Sequence, residues 1–465
     1  MTSPKLRIPN TFVLLFGLLA LIALATWFVP GGQYDSHLVN GKPVIDPASY
    51  REVASRPQGP VALMTAPIKG FVEAGLIIGF VLIVGGAFAV LQKTEAIDSM
   101  IKSVARAHSR SAFVRAAVIP FFVTCFSLGG ATFGMAEEAI PFVLIFIPLA
   151  LALRYDSIVG VAIPFIGSQV GFATAFLNPF NVGVAQGLVG VPLFSGIGYR
   201  LIAWAIATAV TIAFLMAYAA RVKRTPTASP VFALDELRRS RLNLAEFEQF
   251  SGVRTSHKLV LGIFVATLAT MIFGVVRYSW YIEEIAALFL VMAIVVGAVG
   301  RLKAEELVAA FVGGAKDLVG TALVIALAKA TVVIARDAHI IDSMLHSLAP
   351  FVQSASPIVA AQKMFVIQSV INFFIHSGTG QAALTMPIMA PLADLVGVSR
   401  QTAILAFQFG ELTTPVIPTS GITVGVLALA GIPWSTWARW MLSLQVAYFV
   451  MALLLLVPPV LIGWQ

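Results

Sequence analysis

Two adjacent carboxylates, Glu137 and Glu138, come two residues after the run Gly129-Gly130-Ala131-Thr132-Phe133-Gly134 in a stretch otherwise almost free of charge. A third, Glu411, lies in the apolar setting Phe407-Gln408-Phe409-Gly410-Glu411-Leu412 and reads as the start of the second of two interrupted helices. A carboxylate held in apolar surroundings can bind the ammonium or guanidinium of a solute, or carry a proton; at membrane depth it is costly and usually functional. Neighbouring helical residues point about 100° apart. One of Glu137 and Glu138 is therefore expected to meet a ligand or proton while the other pairs within the protein. The competing reading makes both of them helix N-terminal carboxylates near an interface. For Glu411 the alternative is a structural hydrogen bond to interrupted backbone.

Small polar residues cluster at similar places. Asn178 and Asn181 surround an Asn-Pro break, Thr419 and Ser420 follow Pro418, and Ser377, Thr379, Gly380 and Gln381 form a second glycine-containing tip. Thr132 and Gly134 belong to the first tip. Amides and hydroxyls beside carbonyls freed by a helix break suit polar groups of a substrate. Near Gly130, Asn178, Ser377 and Thr419 they also suit a Na⁺ ion. The alternative role for these side chains is capping the broken ends. Gln169 and Gln408 read equally well as interhelical packing groups, and His376 reads as structural more readily than as a proton switch. Lys329 either snorkels outward or pairs with a core glutamate, and Glu73 and Asp317 are expected at interfaces. The sequence contains no H-E-x-x-H, Walker or G-x-S-x-G motif. It offers no metal-ligand spacing and no nucleophile, which argues against an enzyme or an ATP-driven pump; no cofactor is expected beyond Na⁺ or H⁺ as a coupling ion.

The elements that carry these residues must lie in a bilayer. Hydrophobic residues form 59% of the 465-residue chain and charged residues 11%, against about a quarter charged in soluble domains. Apolar runs long enough to cross a bilayer core about 30 Å thick occur at 11–29, 75–91, 201–220, 259–276, 285–300, 318–335 and 440–461. Residues 31–60 form a polar segment, and 61–71 and 304–314 read as short interfacial arms. Two apolar stretches, 111–153 and 363–395, are broken near their middles and read as re-entrant hairpins. Two more, 157–187 and 402–430, read as interrupted spans. The N-terminal stretch resembles a signal peptide, but its length and its lack of a small-residue cleavage site favour a retained first helix. The one cysteine, Cys125, excludes an intrachain disulfide.

The net charge of +8 fits cytoplasmic loops better than nucleic-acid binding. The loop 221–258 carries Arg221, Lys223, Arg224, Arg238, Arg239, Arg241, Arg254 and Lys258, so it is expected inside. Counting spans then puts Lys5, Arg7, Lys93, Lys102, Arg106, Arg110, Arg301 and Lys303 inside as well and the C-terminus outside, provided both hairpins return to the face they entered.

An internal repeat organises the chain into a first half (1–220), the basic loop, and a second half (259–465). Ile97-Asp98-Ser99-Met100 recurs as Ile341-Asp342-Ser343-Met344, and Gly70-x-x-Glu73 as Gly314-x-x-Asp317. Gly134 and Pro141 match Gly380 and Pro387. Gln169-x-Gly171, Pro179 and Asn181 match Gln408-x-Gly410, Pro418 and Ser420, and Gly190-Val191-Pro192 matches Gly431-Ile432-Pro433. Five spans separate equivalent points, so the halves should have opposite topology. Inverted repeats with paired broken helices are an architecture of secondary transporters, because a helix breaks at membrane depth only where protein or a watery cavity satisfies its backbone.

The paired-carboxylate hairpin, the segment Ser377-Gly378-Thr379-Gly380-Gln381-Ala382-Ala383-Leu384-Thr385-Met386-Pro387 and the two interrupted helices resemble the YfcC-like transporters. That family is grouped with the anaerobic C4-dicarboxylate carriers and the arginine/ornithine antiporters of the ion transporter superfamily. The likeness runs from the first span through Gly431-Ile432-Pro433. It implies an all-α, polytopic elevator fold in a bacterial inner membrane: a homodimeric scaffold, and a mobile domain of hairpins and interrupted helices. It leaves the substrate open. The four core segments, 129–142, 167–187, 372–392 and 407–421, hold three acids and no Lys or Arg, whereas a dianion would normally meet an Arg. A basic or zwitterionic amino acid is thus the favoured small-molecule substrate and a C4-dicarboxylate the alternative, since bound Na⁺ would reverse the local sign.

Overall fold

The computed structural model describes residues 11–39, 42–46, 49–240, 254–278, 280, 282–353 and 355–464. Lys5, Arg7 and Arg241, assigned above to the inside, lie outside these residues. Eight helical segments among the described residues are long and apolar enough to cross a membrane, and four shorter apolar helices accompany them.

The first half begins with α1 (Thr11–Ala25). The polar segment that follows is not irregular throughout. Strand β1 (Gly31–Gln33) pairs antiparallel with β4 (Arg51–Val53), and β2 (Ser36–Val39) with β3 (Lys42–Ile45). Then come the arm α2 (Pro60–Glu73), α3 (Gly75–Lys93) and the amphipathic α4 (Ala96–Arg110). The first hairpin is α5 (Ala112–Phe133), a 3-10 turn at Glu137–Phe142 and α6 (Val143–Ala152). The first interrupted helix is α7 (Ser157–Ala173), a π turn at Pro179–Gly183 and α8 (Val184–Val189). Helix α9 (Ile197–Arg224) leads into the loop that carries α10 (Phe232–Arg239).

The second half contains α11 (Thr255–Tyr278) and α12 (Ile282–Val299), the arm α13 (Ala304–Asp317), α14 (Val319–Asp337) and α15 (Ile340–Gln353). The second hairpin is α16 (Pro357–Asn372) and α17 (Gly378–Leu395). The second interrupted helix is α18 (Arg400–Gly410), a 3-10 turn at Glu411–Val416 and α19 (Gly421–Leu429), followed by α20 (Trp434–Leu455) and α21 (Val457–Leu461).

The arms pack across the two halves. Arm α2 lies on α14 and arm α13 on α3, while α1 also covers α14 and α12 covers α3. Each arm presents one of the repeated glycines at the crossing. A Cβ on Gly314 would sit 2.7 Å from the Gly85 carbonyl, and one on Gly70 would sit 2.7 Å from the Ala330 amide. Both lie inside contact distance, so no larger residue fits, and the repeated glycine follows from backbone approach.

Two sequence boundaries need correction. The break of the first hairpin, expected between Gly129 and Gly134, falls at the end of that run: α5 continues to Phe133, and the chain turns at Gly134, whose φ is +80°. Gly129 and Gly130 are helical, and Gly130 faces the backbone of Ser168 and Phe172 where α5 crosses α7. The glycine run thus serves close helix packing as well as the turn. Glu411 does not start the second interrupted helix. It sits at the break, where α18 tightens into the 3-10 turn.

Polar networks pin both ends of the bundle. At one end α10 staples the starts and ends of distant helices. Asp235 accepts from the Ser157 amide at 2.8 Å, Arg238 donates to the Ser157 hydroxyl at 2.7 Å and to the Ala430 carbonyl, and Asp156 accepts from Tyr218 and Ser229 at 2.6 and 2.7 Å. At α15 the Tyr34 amide donates to Asp342 at 3.1 Å, and Tyr50 stacks on His346 with ring centroids 3.6 Å apart. Burial and the nearby Asp342 push the Tyr34 phenol up to about 12, so it stays protonated beside His346 Nδ1, 3.3 Å away.

Candidate functional site

The four interrupted elements meet through side chains that bridge one break to another. Asn178 accepts from the amides of Phe180 and Asn181 at 2.8 and 3.2 Å, which caps the π turn, while its Nδ2 donates to Gly130 of the first hairpin at 3.3 Å. Asn181 donates to Glu411 Oε2 at 2.6 Å, joining the two interrupted helices. Thr379, at the second tip, donates to the Phe180 carbonyl at 3.0 Å. Thr419 donates to the Phe373 carbonyl, closing the second interrupted helix onto the second hairpin. The breaks therefore satisfy one another's backbone, which is what permits them inside an apolar body.

Between them lies a cavity of about 510 Å³, within the range of small-molecule sites. Of the residues singled out from sequence, Glu137, Gly134, Ser377, Thr379 and Glu411 line it, as do Gln169, His376, Lys329 and Glu73. The two adjacent carboxylates separate as helix geometry requires. Glu137 faces the cavity, whereas Glu138 is 7% exposed and turns back to accept from the Ala136 amide at 2.9 Å.

The remaining candidates are off the cavity wall. Thr132 donates to Leu128 of its own helix at 2.6 Å, and Gln381 donates to the carbonyl and side chain of Gln368 at 2.9 and 2.8 Å. Gly380 donates its amide to Ser377 Oγ, and Ser420 caps α19 by accepting from the Thr423 amide, both at 3.3 Å. Asn178, Asn181 and Thr419 bond the breaks as described. These residues hold the tips in place rather than face the cavity. The four positions considered for Na⁺ contribute to separate contacts: Asn178 with Gly130, Thr419 with Phe373, and Ser377 with its own helix start.

Glu411 is the most enclosed acid of the wall, at 3% exposure. Its Oε2 has Asn181, whereas its Oε1 has no hydrogen-bond partner. A Cβ on Gly378 would lie 3.2 Å from that oxygen, so Oε1 is directed at the second tip. Gln169 Nε2 and His376 Nδ1 are likewise buried without partners.

Sequence reasoning left Lys329 undecided and put Glu73 at an interface; both are on the cavity wall. The arm α2 ends there, delivering Glu73 to α14, where Arg336 grips it at 2.5 and 3.0 Å and Lys329 stands 3.9 Å away. Only the crossing of α2 on α14 supplies this contact, and the depth of a lysine within an apolar span was the one available sign. Arg200 was missed outright. It is fully buried on α9, donates to Gln401 at 2.9 Å and to Gln408, and lies 5.3 Å from the Trp464 ring. Asn372 was also missed; it donates to the hydroxyls of Thr413 and Thr414, each at 2.9 Å.

The family model described as "DcuC: C4-dicarboxylate anaerobic carrier" matches residues 8–460. The chain is 36% identical to an Escherichia coli (strain K12) protein named "Putative basic amino acid antiporter YfcC", over 98% of this chain and 97% of that one. It is 27% identical to an uncharacterized protein of Haemophilus influenzae, over 97% and 96% of the respective chains. Among solved structures it is similar to the Alcanivorax borkumensis YdaH transporter, with 16% identity, a TM-score of 0.42, and coverage of 98% of this chain and 99% of that one. With matched residues spanning nearly its whole length and eight segments able to cross a membrane, the chain belongs to the DcuC family of carriers and is a multi-pass membrane transporter.

Proposed function

We propose that this transporter is a secondary carrier or exchanger of a small carboxyl-bearing solute, preferably a basic or zwitterionic amino acid. The observation that carries the reading is that three residues lining the cavity, Glu411, Gln169 and His376, each hold a buried polar atom without a partner: Oε1, Nε2 and Nδ1 respectively. Buried polar groups are nearly always hydrogen-bonded, and a partly open cavity lined by three such residues fits a polar ligand. Glu137 and Glu411 offer acceptors for an ammonium or guanidinium. The name of the Escherichia coli relative points to the same substrate class. The dicarboxylate alternative draws on the family description and on Lys329 and His376 in the wall.

The proposed movement is elevator-type, with two inverted repeats. Its support is the same order of elements in both halves, the reciprocal packing of α2 on α14 and α13 on α3, and the odd number of crossings between them. The hairpins and interrupted helices form the moving body. The scaffold includes α11 and α12, whose outer faces expose Leu259, Val265, Ile272, Leu290, Val291 and Ile294 to lipid and to a second copy in a homodimer. Orientation follows the positive-inside rule, with α10 cytoplasmic, the C-terminus outside and the bacterial inner membrane as the location. Coupling is assigned to Na⁺ or H⁺. A proton on Glu137 or Glu411 leaves the breaks intact, whereas a Na⁺ at the Gly130 or Phe373 carbonyl would share that oxygen with Asn178 or Thr419.

Proteoliposomes test the reading. Vesicles preloaded with arginine, ornithine, lysine or succinate would be offered labelled arginine or labelled succinate, with and without Na⁺ and a pH gradient. Saturable arginine uptake that depends on an internal amino acid is expected. Succinate exchange with no arginine uptake would overturn the amino-acid preference.

A further inference from the structure

The proposed solute carries a carboxylate, and the four core segments give it no fixed cation. The wall of the cavity does. Among the described lining residues, Lys329 is the one Lys or Arg, and it comes from α14, outside the hairpins and interrupted helices.

Its surroundings leave its charge available. Glu73 is the acid in reach, but both oxygens of Glu73 already accept from Arg336, at 2.5 and 3.0 Å, and the Lys329 ammonium stands off at 3.9 Å. Arg336 is tied further to Asp337 at 3.3 Å, and Asp337 to Lys69 at 2.7 Å. The outer members of this row neutralise one another, and Lys329 stands at its cavity end with the loosest contact. An ammonium has three N–H donors. A side chain 36% exposed and lining a partly open cavity can turn them to an incoming anion.

We infer that Lys329 is the residue that receives the solute's carboxylate, with Glu73 as a standby counter-ion that takes Lys329 back when the solute leaves. This rests on the amino-acid reading for the identity of the rest of the solute. Glu137 and Glu411 take the cationic end, and Lys329 takes the anionic one. A bound amino acid then joins α14 to the second interrupted helix. Lys329 meets Glu73 through a 3.9 Å contact, so binding the solute's carboxylate changes what ties the two elements together.

Agmatine is arginine without the carboxylate, so the ratio of the two affinities isolates that group. Wild-type protein in detergent is expected to bind arginine at least about tenfold more tightly than agmatine. In Lys329→Gln, arginine should weaken by roughly tenfold to hundredfold while agmatine stays within about twofold, so the ratio falls toward one. Should that variant fail to fold, Lys329→Cys in a Cys125→Ala background is measured before and after 2-aminoethyl methanethiosulfonate, which restores a positive charge and should restore the ratio. An unchanged ratio in either variant overturns the inference while leaving the amino-acid reading intact. Wild-type binding of succinate but not of arginine or ornithine would remove the amino-acid reading instead. Lys329 is then judged on succinate: a loss of tenfold or more on substitution supports it, and unchanged affinity overturns it. Wild-type binding of none of these carboxylates overturns both.

Discussion

Glu411→Gln separates a ligand role from a structural one, because the two roles predict opposite effects. The Glu411 side chain is almost completely enclosed, with one oxygen bonded to Asn181 at 2.6 Å and the other unpartnered toward Gly378. Glutamine has nearly the same shape and keeps an acceptor for Asn181. A charged hydrogen bond contributes about 1.5–3 kcal/mol and a neutral one about 0.5–1.5, so the Asn181 contact weakens by about 1–1.5 kcal/mol. Against this, removing a buried charge relieves a desolvation cost of several kcal/mol. The ligand-free variant should therefore melt at or above the wild-type temperature. A cationic solute loses the same difference in hydrogen bonding and, in addition, the Coulomb attraction across a low-dielectric site. Its affinity should fall at least about tenfold. The assay pairs thermal unfolding of the purified protein with equilibrium binding of labelled arginine. A variant that melts several degrees lower and binds arginine as the wild type does would refute the reasoning, and Glu411 would then be a support for the break.

Other parts of the structure make separate predictions. Gly134 has φ +80° and its Cβ would lie 2.8 Å from Asn178 Oδ1, whereas Gly190, at φ +73°, has open space around it. Both alanine substitutions carry about 1–2 kcal/mol of left-handed strain, but only Gly134→Ala also displaces the cap of the first interrupted helix; it should abolish uptake in proteoliposomes while Gly190→Ala retains it. Burial, with Lys223 and Arg115 nearby, pushes the His108 imidazole down to about 4. A released His108 takes up a proton below its ordinary value of about 6.5 and the docked one does not, so docking of α4 weakens as pH falls from about 6.5 toward 4. The protection of α4 amides, taken relative to the intrinsic exchange rate at each pH, should fall over that window, and His108→Gln should flatten the fall. In a Cys125→Ala background, cysteines at the exposed positions Ser109 and Leu395 should react with an impermeant reagent from opposite faces of the membrane. Labelling of both from one face would contradict the inverted arrangement of the hairpins.

The class of the protein is legible in its composition. A chain this poor in charge cannot cover a water-exposed surface, and its apolar runs have the length of bilayer spans, so membrane crossing follows from composition and periodicity alone. The breaks were legible for the same reason. Gly, Pro and Asn at positions such as Gly134, Asn178 and Ser377 interrupt helices through local backbone chemistry, which depends little on distant contacts. Helix geometry also anticipated that Glu137 and Glu138 would part ways. Which polar groups line the cavity and which bond to one another emerges only once the helices are packed. Asn181 and Glu411 are 230 residues apart in sequence and 2.6 Å apart in space. Lys329 and Glu73 meet only because α2 crosses α14, with Gly70 at the point of closest approach. A side chain's type sets its chemistry, but its partner is set by how helices from different halves pack. That depends on shape complementarity summed over the whole bundle and leaves no signature at any single position. For that reason Glu137 and Glu411 could be read in the sequence as candidates, whereas Glu73 and Lys329 were put on the cavity wall only by the fold.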